Sequence, residues 1–230
     1  MEASWIWDAS GEHPRNYWAC FRKSFDLHAA PDGATLSVFA DSRYVAYVNG
    51  VRVGQGPVRG WPEAPFYDEH PVGGLLRKGP NVVAVLVHHL GSSSMQYVEA
   101  EACLTGQLDL AVHGRTMKLV TDESWKSLPH AGYARNAIRN YPQQGWSEIY
   151  DAAALDDAWT GPDFDDAAWK SALRIPASSR VWRRKLQRRD IPLMREDAMY
   201  PERIHGSRIV RTHGMPVTAP TWCRTARGRC

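Results

Sequence analysis

The stretch at residues 34–57, ATLSVFADSRYVAYVNGVRVGQGP, decides the fold class of this chain. Its first eight residues alternate in polarity, which places Leu36 and Val38 on one face of a half-buried strand. Two arms rich in valine and tyrosine then flank Asn49 and Gly50. Asn-Gly is the strongest short-range signal for a hairpin, because a type I′ turn needs positive φ at both central residues. The stretch therefore predicts antiparallel strands.

Further strand patterns lie on both sides of this stretch. Residues 21–27 (FRKSFDL) mix polar and apolar side chains, and residues 81–90 (NVVAVLVHHL) form an apolar run behind a Gly-Pro turn. Residues 108–112 and 116–121 flank His113-Gly114-Arg115, a second hairpin candidate. Many short strands with Gly, Pro and Asn turns predict an all-β fold, an antiparallel β-sandwich. The sequence lacks the long amphipathic helices between strands that a βαβ fold needs.

The composition is globular, but the charge is unevenly distributed. The chain has 230 residues, of which 43% are hydrophobic and 23% charged, and its 28 Lys and Arg against 25 Asp and Glu give a net charge of +3. Residues 1–177 carry 15 basic and 21 acidic side chains, whereas residues 178–230 carry 13 and 4. We therefore predict a β-sandwich over residues 1–180 and a basic, poorly packed linker or tail over residues 181–230. The tail lacks a nucleic-acid-binding motif, so no nucleic-acid partner is predicted.

Several classes of protein are disfavoured by missing signals. The sequence has no 18-residue apolar run, which argues against a membrane partner. Its first residues do not resemble a signal peptide, and we expect a cytoplasmic protein. The four cysteines form no CxxC pair and are expected to be reduced thiols rather than zinc ligands; they are Cys20, Cys103, Cys223 and Cys230.

An acidic region at residues 151–166 is the first candidate for chemistry. Paired carboxylates are the catalytic groups of glycosidases, but these aspartates lie in turns, where they serve as turn formers and caps. One of them is predicted to cap a short helix at residues 165–172. The adjacent His88 and His89 on one strand point to opposite faces, one exposed and one half-buried, and cannot chelate a metal together.

Aromatic side chains in polar loops are the better candidates for a binding site. The chain has 10 Trp and 9 Tyr against 5 Phe. Aromatic faces beside carboxylates and amides suit sugars, because the ring covers the C–H face while polar groups bind hydroxyls. Packing in the core is the alternative for each ring. The candidate carbohydrate-binding residues are Trp61, Tyr67, Trp146, Glu148 and Tyr150.

Several motifs in order resemble the N-terminal β-sandwich region of bacterial α-L-rhamnosidases. They are FRKSFDL, the stretch at residues 34–57, LLRKGPNVVAVLVHHLG, TDESWKS, WSEIYDA, FDDAAWKSA and VWRRKLQRRDIPLMRE. The resemblance covers roughly residues 5–205. It implies a jelly roll of the galactose-binding type.

The resemblance also implies where catalysis resides in this family. There it belongs to a separate (α/α) barrel, which has no counterpart in this sequence, so no catalytic residue is carried over. We expect a non-catalytic accessory or carbohydrate-binding module of a truncated glycoside hydrolase, with a rhamnoside-like sugar and the barrel as partners. A ligand-free scaffold is the alternative, and a glycosidase in its own right is less favoured. No cofactor is predicted, and calcium, which some family modules use to bind rhamnose, stays open.

Overall fold

The computed structural model describes residues 2–12, 14–141, 143–197, 199–200 and 202–203, and thirteen strands within them build two facing sheets. The strands are β1 Ile6–Trp7, β2 Tyr17–Leu27, β3 Gly33–Asp41, β4 Arg43–Val48, β5 Val51–Gly56, β6 Phe66–Pro71, β7 Gly79–His89, β8 Cys103–Val112, β9 Arg115–Val120, β10 Lys126–Pro129, β11 Lys170–Ser171, β12 Leu173–Arg174 and β13 Gln187–Arg188. Short 3₁₀ turns are formed by Gly73–Leu75, Asp157–Thr160 and Arg180–Arg183.

The two sheets confirm the predicted β-sandwich. The first sheet has the order β12-β1-β8-β3-β6-β13, with β9 also paired to β8. The second sheet has the order β11-β10-β2-β7-β4-β5. Neighbouring strands are antiparallel, and the exception among the described strands is β13, which runs parallel to β6. Strands distant in sequence are therefore neighbours in both sheets.

The core between the sheets explains the apolar run of β7. Val83, Val85 and Val87 face the inner core, while Ala84 and Leu86 face a second apolar cluster on the outer side of the sheet. Because β7 is covered on both faces, its sequence does not alternate in polarity. Each fully buried aliphatic side chain contributes about 1.5–3 kcal/mol to stability.

The Asn-Gly hairpin forms as predicted. Asn49 and Gly50 have φ values of 51° and 81°, and β4 pairs directly with β5 on either side of them. The Asn49 side chain also accepts a hydrogen bond from the Val82 backbone N–H at 2.8 Å and donates to the Leu75 carbonyl at 2.8 Å. The turn is therefore bound to the neighbouring strand as well as to its own two arms.

The short helix predicted at residues 165–172 is wrong. Asp165 accepts a hydrogen bond from the Ala167 N–H at 2.9 Å, but the chain then extends into β11, which pairs with β10. Burial of Trp169 against the outer cluster and completion of the sheet edge outweigh the local helix signal. In the described part of the chain, no helix is both long and apolar enough to span a membrane.

The segment after residue 180 begins by packing on the sandwich, in contrast to the expected linker. Val181 is fully buried, and β13 adds a strand to the first sheet. Arg184 and Arg189 approach the buried carboxylates of Asp41 and Asp68 at 3.3 and 3.0 Å. These ion pairs account for part of the basic excess that suggested a solvated tail. Residues 204–230, including Cys223 and Cys230, lie outside the described residues.

Candidate functional site

A cleft of about 640 Å³ opens on the outer face of the second sheet. The part of the cleft that the sheet forms consists of outward-facing side chains from β2, β4 and β7, among them Trp18, Val45 and His88. The cleft is also lined by residues 56–59, which follow the Asn-Gly hairpin, and by residues 146–149. Two loops distant in sequence thus meet over a single face of the sheet.

A stack of three rings gives the cleft a fixed apolar surface. Trp18 lies parallel to His88 with ring centroids 3.9 Å apart, and parallel to Tyr133 at 3.8 Å on its other face. Trp18 and His88 are direct cross-strand partners, so the register of β2 and β7 brings the two rings together. Since both faces of Trp18 are occupied, it supports the site rather than offering a free ring to a ligand.

His88 is uncharged at neutral pH. Burial, assisted by the positive charges of Arg43 and His89, lowers the pKa of His88 to about 3. Its Nε2 lies 2.9 Å from Oδ1 of Asn16, an oxygen that accepts the imidazole N–H. The predicted opposite orientation of His88 and His89 is correct, but both are buried, so the expected exposure is wrong.

Trp146 also lines the cleft, and neighbouring groups fix its ring. Its indole N–H donates to the Leu90 carbonyl at 2.8 Å, and the Arg139 guanidinium lies 5.6 Å from its ring centroid. Arg139 in turn donates to the Ser92 hydroxyl at 3.0 Å. The half-buried ring is therefore held in place before any ligand arrives.

Positive charge predominates around the cleft. Among the described residues, four arginines and a single carboxylate side chain, that of Glu148, line it. Arg52 pairs with Glu196 at 2.9 Å. The cleft thus combines an aromatic surface with donors suited to oxygen-rich ligands.

The structure brings together part of the predicted carbohydrate site. Trp146 and Glu148 line the cleft, and Tyr150 lies beside it with its ring centroid 4.7 Å from that of Tyr133. Trp61 is 70% exposed and does not line the cleft. Tyr67 packs against the inner core and is also outside it.

Sequence reasoning missed the residues that the sheet contributes. Trp18, Arg43 and His88 line the cleft from three different strands, and none of them was among the predicted site residues. Aromatic rings at outward-facing positions of two strands could have indicated this surface. That pattern is visible only when β2 and β7 are known to be neighbours in the sheet.

The acidic region has the structural roles expected from its turns. Asp151, Asp156 and Asp165 each accept a hydrogen bond from the backbone N–H two residues later, at 2.9–3.0 Å. Asp166 pairs with the buried Arg22 at 2.6 Å. Among the described residues, no group of three or more His, Cys, Asp and Glu side chains could hold a metal ion.

The fold and the cleft define a β-sandwich module with a ligand-sized site on one sheet face, and comparison identifies its family. A family model described as the alpha-L-rhamnosidase N-terminal domain matches residues 29–192. The chain belongs to this family.

Two relatives show how much of a rhamnosidase this chain represents. An alpha-L-rhamnosidase of Streptomyces avermitilis is 28% identical over 183 residues, which are 74% of this chain but 14% of that protein. The crystal structure of a GH78-family rhamnosidase of Bacillus sp. GL1 is 44% identical, with a TM-score of 0.75, over 84% of this chain and 20% of that one. The chain thus spans about a fifth or less of the length of either relative.

Proposed function

We propose that the chain is a non-catalytic carbohydrate-binding module of a rhamnosidase-like glycoside hydrolase, and that the cleft beside Trp146 is its sugar site. The observation that carries the proposal is that Trp146 lines the cleft together with polar side chains and the fixed stack of Trp18 and His88. The names of its relatives point to a rhamnoside as the first ligand to test. A catalytic (α/α) barrel is the proposed partner within the complete enzyme.

The dimensions and chemistry of the cleft suit a saccharide. Its volume of about 640 Å³ lies within the range of about 300–1,000 Å³ common for small-molecule sites. Trp146 offers an apolar ring surface to sugar C–H groups. Gln55, Ser147 and Glu148 offer donors and acceptors for hydroxyls.

A scaffold that packs against the barrel is the second candidate function. It is favoured by apolar side chains that are exposed near the end of the described chain. Ile191 is 52% exposed, Met194 67% and Tyr200 85%. Exposed apolar groups concentrated in one segment commonly mark a contact surface.

Calorimetric titration of the full chain with methyl α-L-rhamnoside and rhamnosyl oligosaccharides tests the proposal. We expect saturable binding that Trp146→Ala abolishes and Trp61→Ala preserves. Trp61 is a matched control because it is an exposed tryptophan outside the cleft. If no saccharide on a broad glycan array binds, the carbohydrate-binding proposal is overturned and the scaffold function is favoured.

A further inference from the structure

We propose that the cleft selects acidic saccharides and binds the carboxylate of a uronic acid through Arg43 and Arg59. This inference rests on the proposed function, since it specifies the class of sugar for the same site. It arises from an imbalance of charge that neither the fold nor the packing of the cleft requires.

The two arginines are available to a ligand. Arg43 belongs to β4, where its neighbour Tyr44 faces the core, so Arg43 points to the outer face that bears the cleft. Arg59 lies in the loop after β5. Both side chains line the cleft, both residues are exposed, and neither forms an ion pair with any described residue.

The other charges of the cleft are largely neutralised within the protein. Arg52 is paired with Glu196, and Arg189 is paired with Asp68. Of the described side chains that line the cleft, Glu148 is the one with a negative charge, and it is exposed to solvent. A concave surface with excess charge of one sign concentrates oppositely charged ligands. We therefore expect the ligand of this cleft to carry a negative charge.

A uronic acid matches both features of the site. Its ring presents a C–H face to an aromatic side chain such as Trp146. Its planar carboxylate accepts paired N–H donors from a guanidinium, a geometry that arginine favours. A neutral sugar of the same ring shape gains only the first of these contacts.

The proposal is tested by NMR titration of the full chain with methyl β-D-glucuronide and methyl β-D-glucoside, which differ in the carboxylate. We expect the glucuronide to bind about tenfold more tightly, a common increment for one charge-assisted contact. In about 0.5 M NaCl this preference should shrink, since the Debye length falls to about 4 Å. Arg43→Gln and Arg59→Gln should each reduce the preference at least threefold. Arg115→Gln, an exposed arginine on β9 that does not line the cleft, should leave it unchanged.

Other results would overturn the proposal in recognisable ways. Equal affinities for the two glycosides, or a preference that survives both substitutions, would remove the role of the arginines. Tighter binding of glucose 6-sulfate than of the glucuronide would contradict the assignment of a carboxylate. In each of these cases, Trp146→Ala shows whether the proposed function also fails. If Trp146→Ala abolishes binding, the sugar site beside Trp146 is still supported, and only the selection of a carboxylate is overturned. If neither these glycosides nor methyl α-L-rhamnoside binds, the proposed function fails first.

Discussion

Arg189 donates from Nη1 to Oδ1 of Asp68 across 3.0 Å, and the pair joins the segment after residue 180 to the interior of the first sheet. The Asp68 side chain is fully buried. Its other oxygen accepts the Tyr44 hydroxyl at 2.6 Å, and Tyr44 lies 2.9 Å from Nε2 of His70. The carboxylate therefore connects β6, the core side chain of Tyr44 and the segment after residue 180 in a single network.

Replacing Arg189 with methionine should destabilise the fold, because it leaves the Asp68 charge buried without its cation. We expect a loss of about 2–4 kcal/mol in the free energy of unfolding, measured by urea denaturation. The matched control is Arg188→Met, which removes a pair between Glu69 and an arginine side chain that is 71% exposed. That change should cost less than about 1 kcal/mol. Equal losses for the two variants would show that burial of Asp68 does not matter.

The buried His88 should make stability depend on pH. Its pKa in the folded chain is about 3, below the ordinary value of 6.5, because of burial and then the charges of Arg43 and His89. Between these two values the unfolded chain binds a proton that the folded chain does not. The free energy of unfolding should therefore fall as the pH drops from about 6.5 towards about 3, by up to about 1.4 kcal/mol per pH unit from this group.

The contribution of His88 can be separated from that of other histidines by substitution. Burial also lowers the pKa of His70 and of His130, so the wild-type slope includes their contributions. His88→Gln should reduce the slope of the unfolding free energy against pH, whereas the exposed His28→Gln should not. Urea titrations at several pH values measure both slopes. An unchanged slope in His88→Gln would contradict the neutral, buried state assigned to His88.

Asp166 should stabilise the layer that covers the outer face of the second sheet. Arg22 has no exposed side-chain surface, and it binds Asp166 at 2.6 Å as well as the carbonyls of Phe164 and Gly161. Asp166→Asn should therefore lower the free energy of unfolding by about 1–3 kcal/mol and change tryptophan fluorescence from the neighbouring Trp169. The exposed Asp163→Asn should change neither quantity. A silent Asp166→Asn would mean that the carbonyl contacts alone hold Arg22.

The sequence predicted those features that depend on local chemistry. Asn49-Gly50 encodes its own turn, and the run of β7 reflects burial on both faces. The helix expected at residues 165–172 failed because pairing with β10, distant in sequence, decides the conformation of Lys170–Ser171.

The candidate site was predicted only in part for a similar reason. Trp146 and Glu148 were found because aromatic and acidic residues are adjacent in one loop. Trp18 and His88 meet only through the register between β2 and β7. Nor did composition show that Arg184 and Arg189 would find buried aspartates, because a basic run looks the same whether it is solvated or paired.

Binding of sugar beside Trp146 is tested most directly by NMR of the indole N–H signals of the full chain. The titrants are methyl α-L-rhamnoside and methyl β-D-glucuronide. We expect saturable shifts of the Trp146 signal, assigned by its loss in Trp146→Ala, while the exposed Trp61 signal does not move. Saturable binding that leaves Trp146 unshifted, or shifts at Trp61 alone, would contradict the assignment of the cleft.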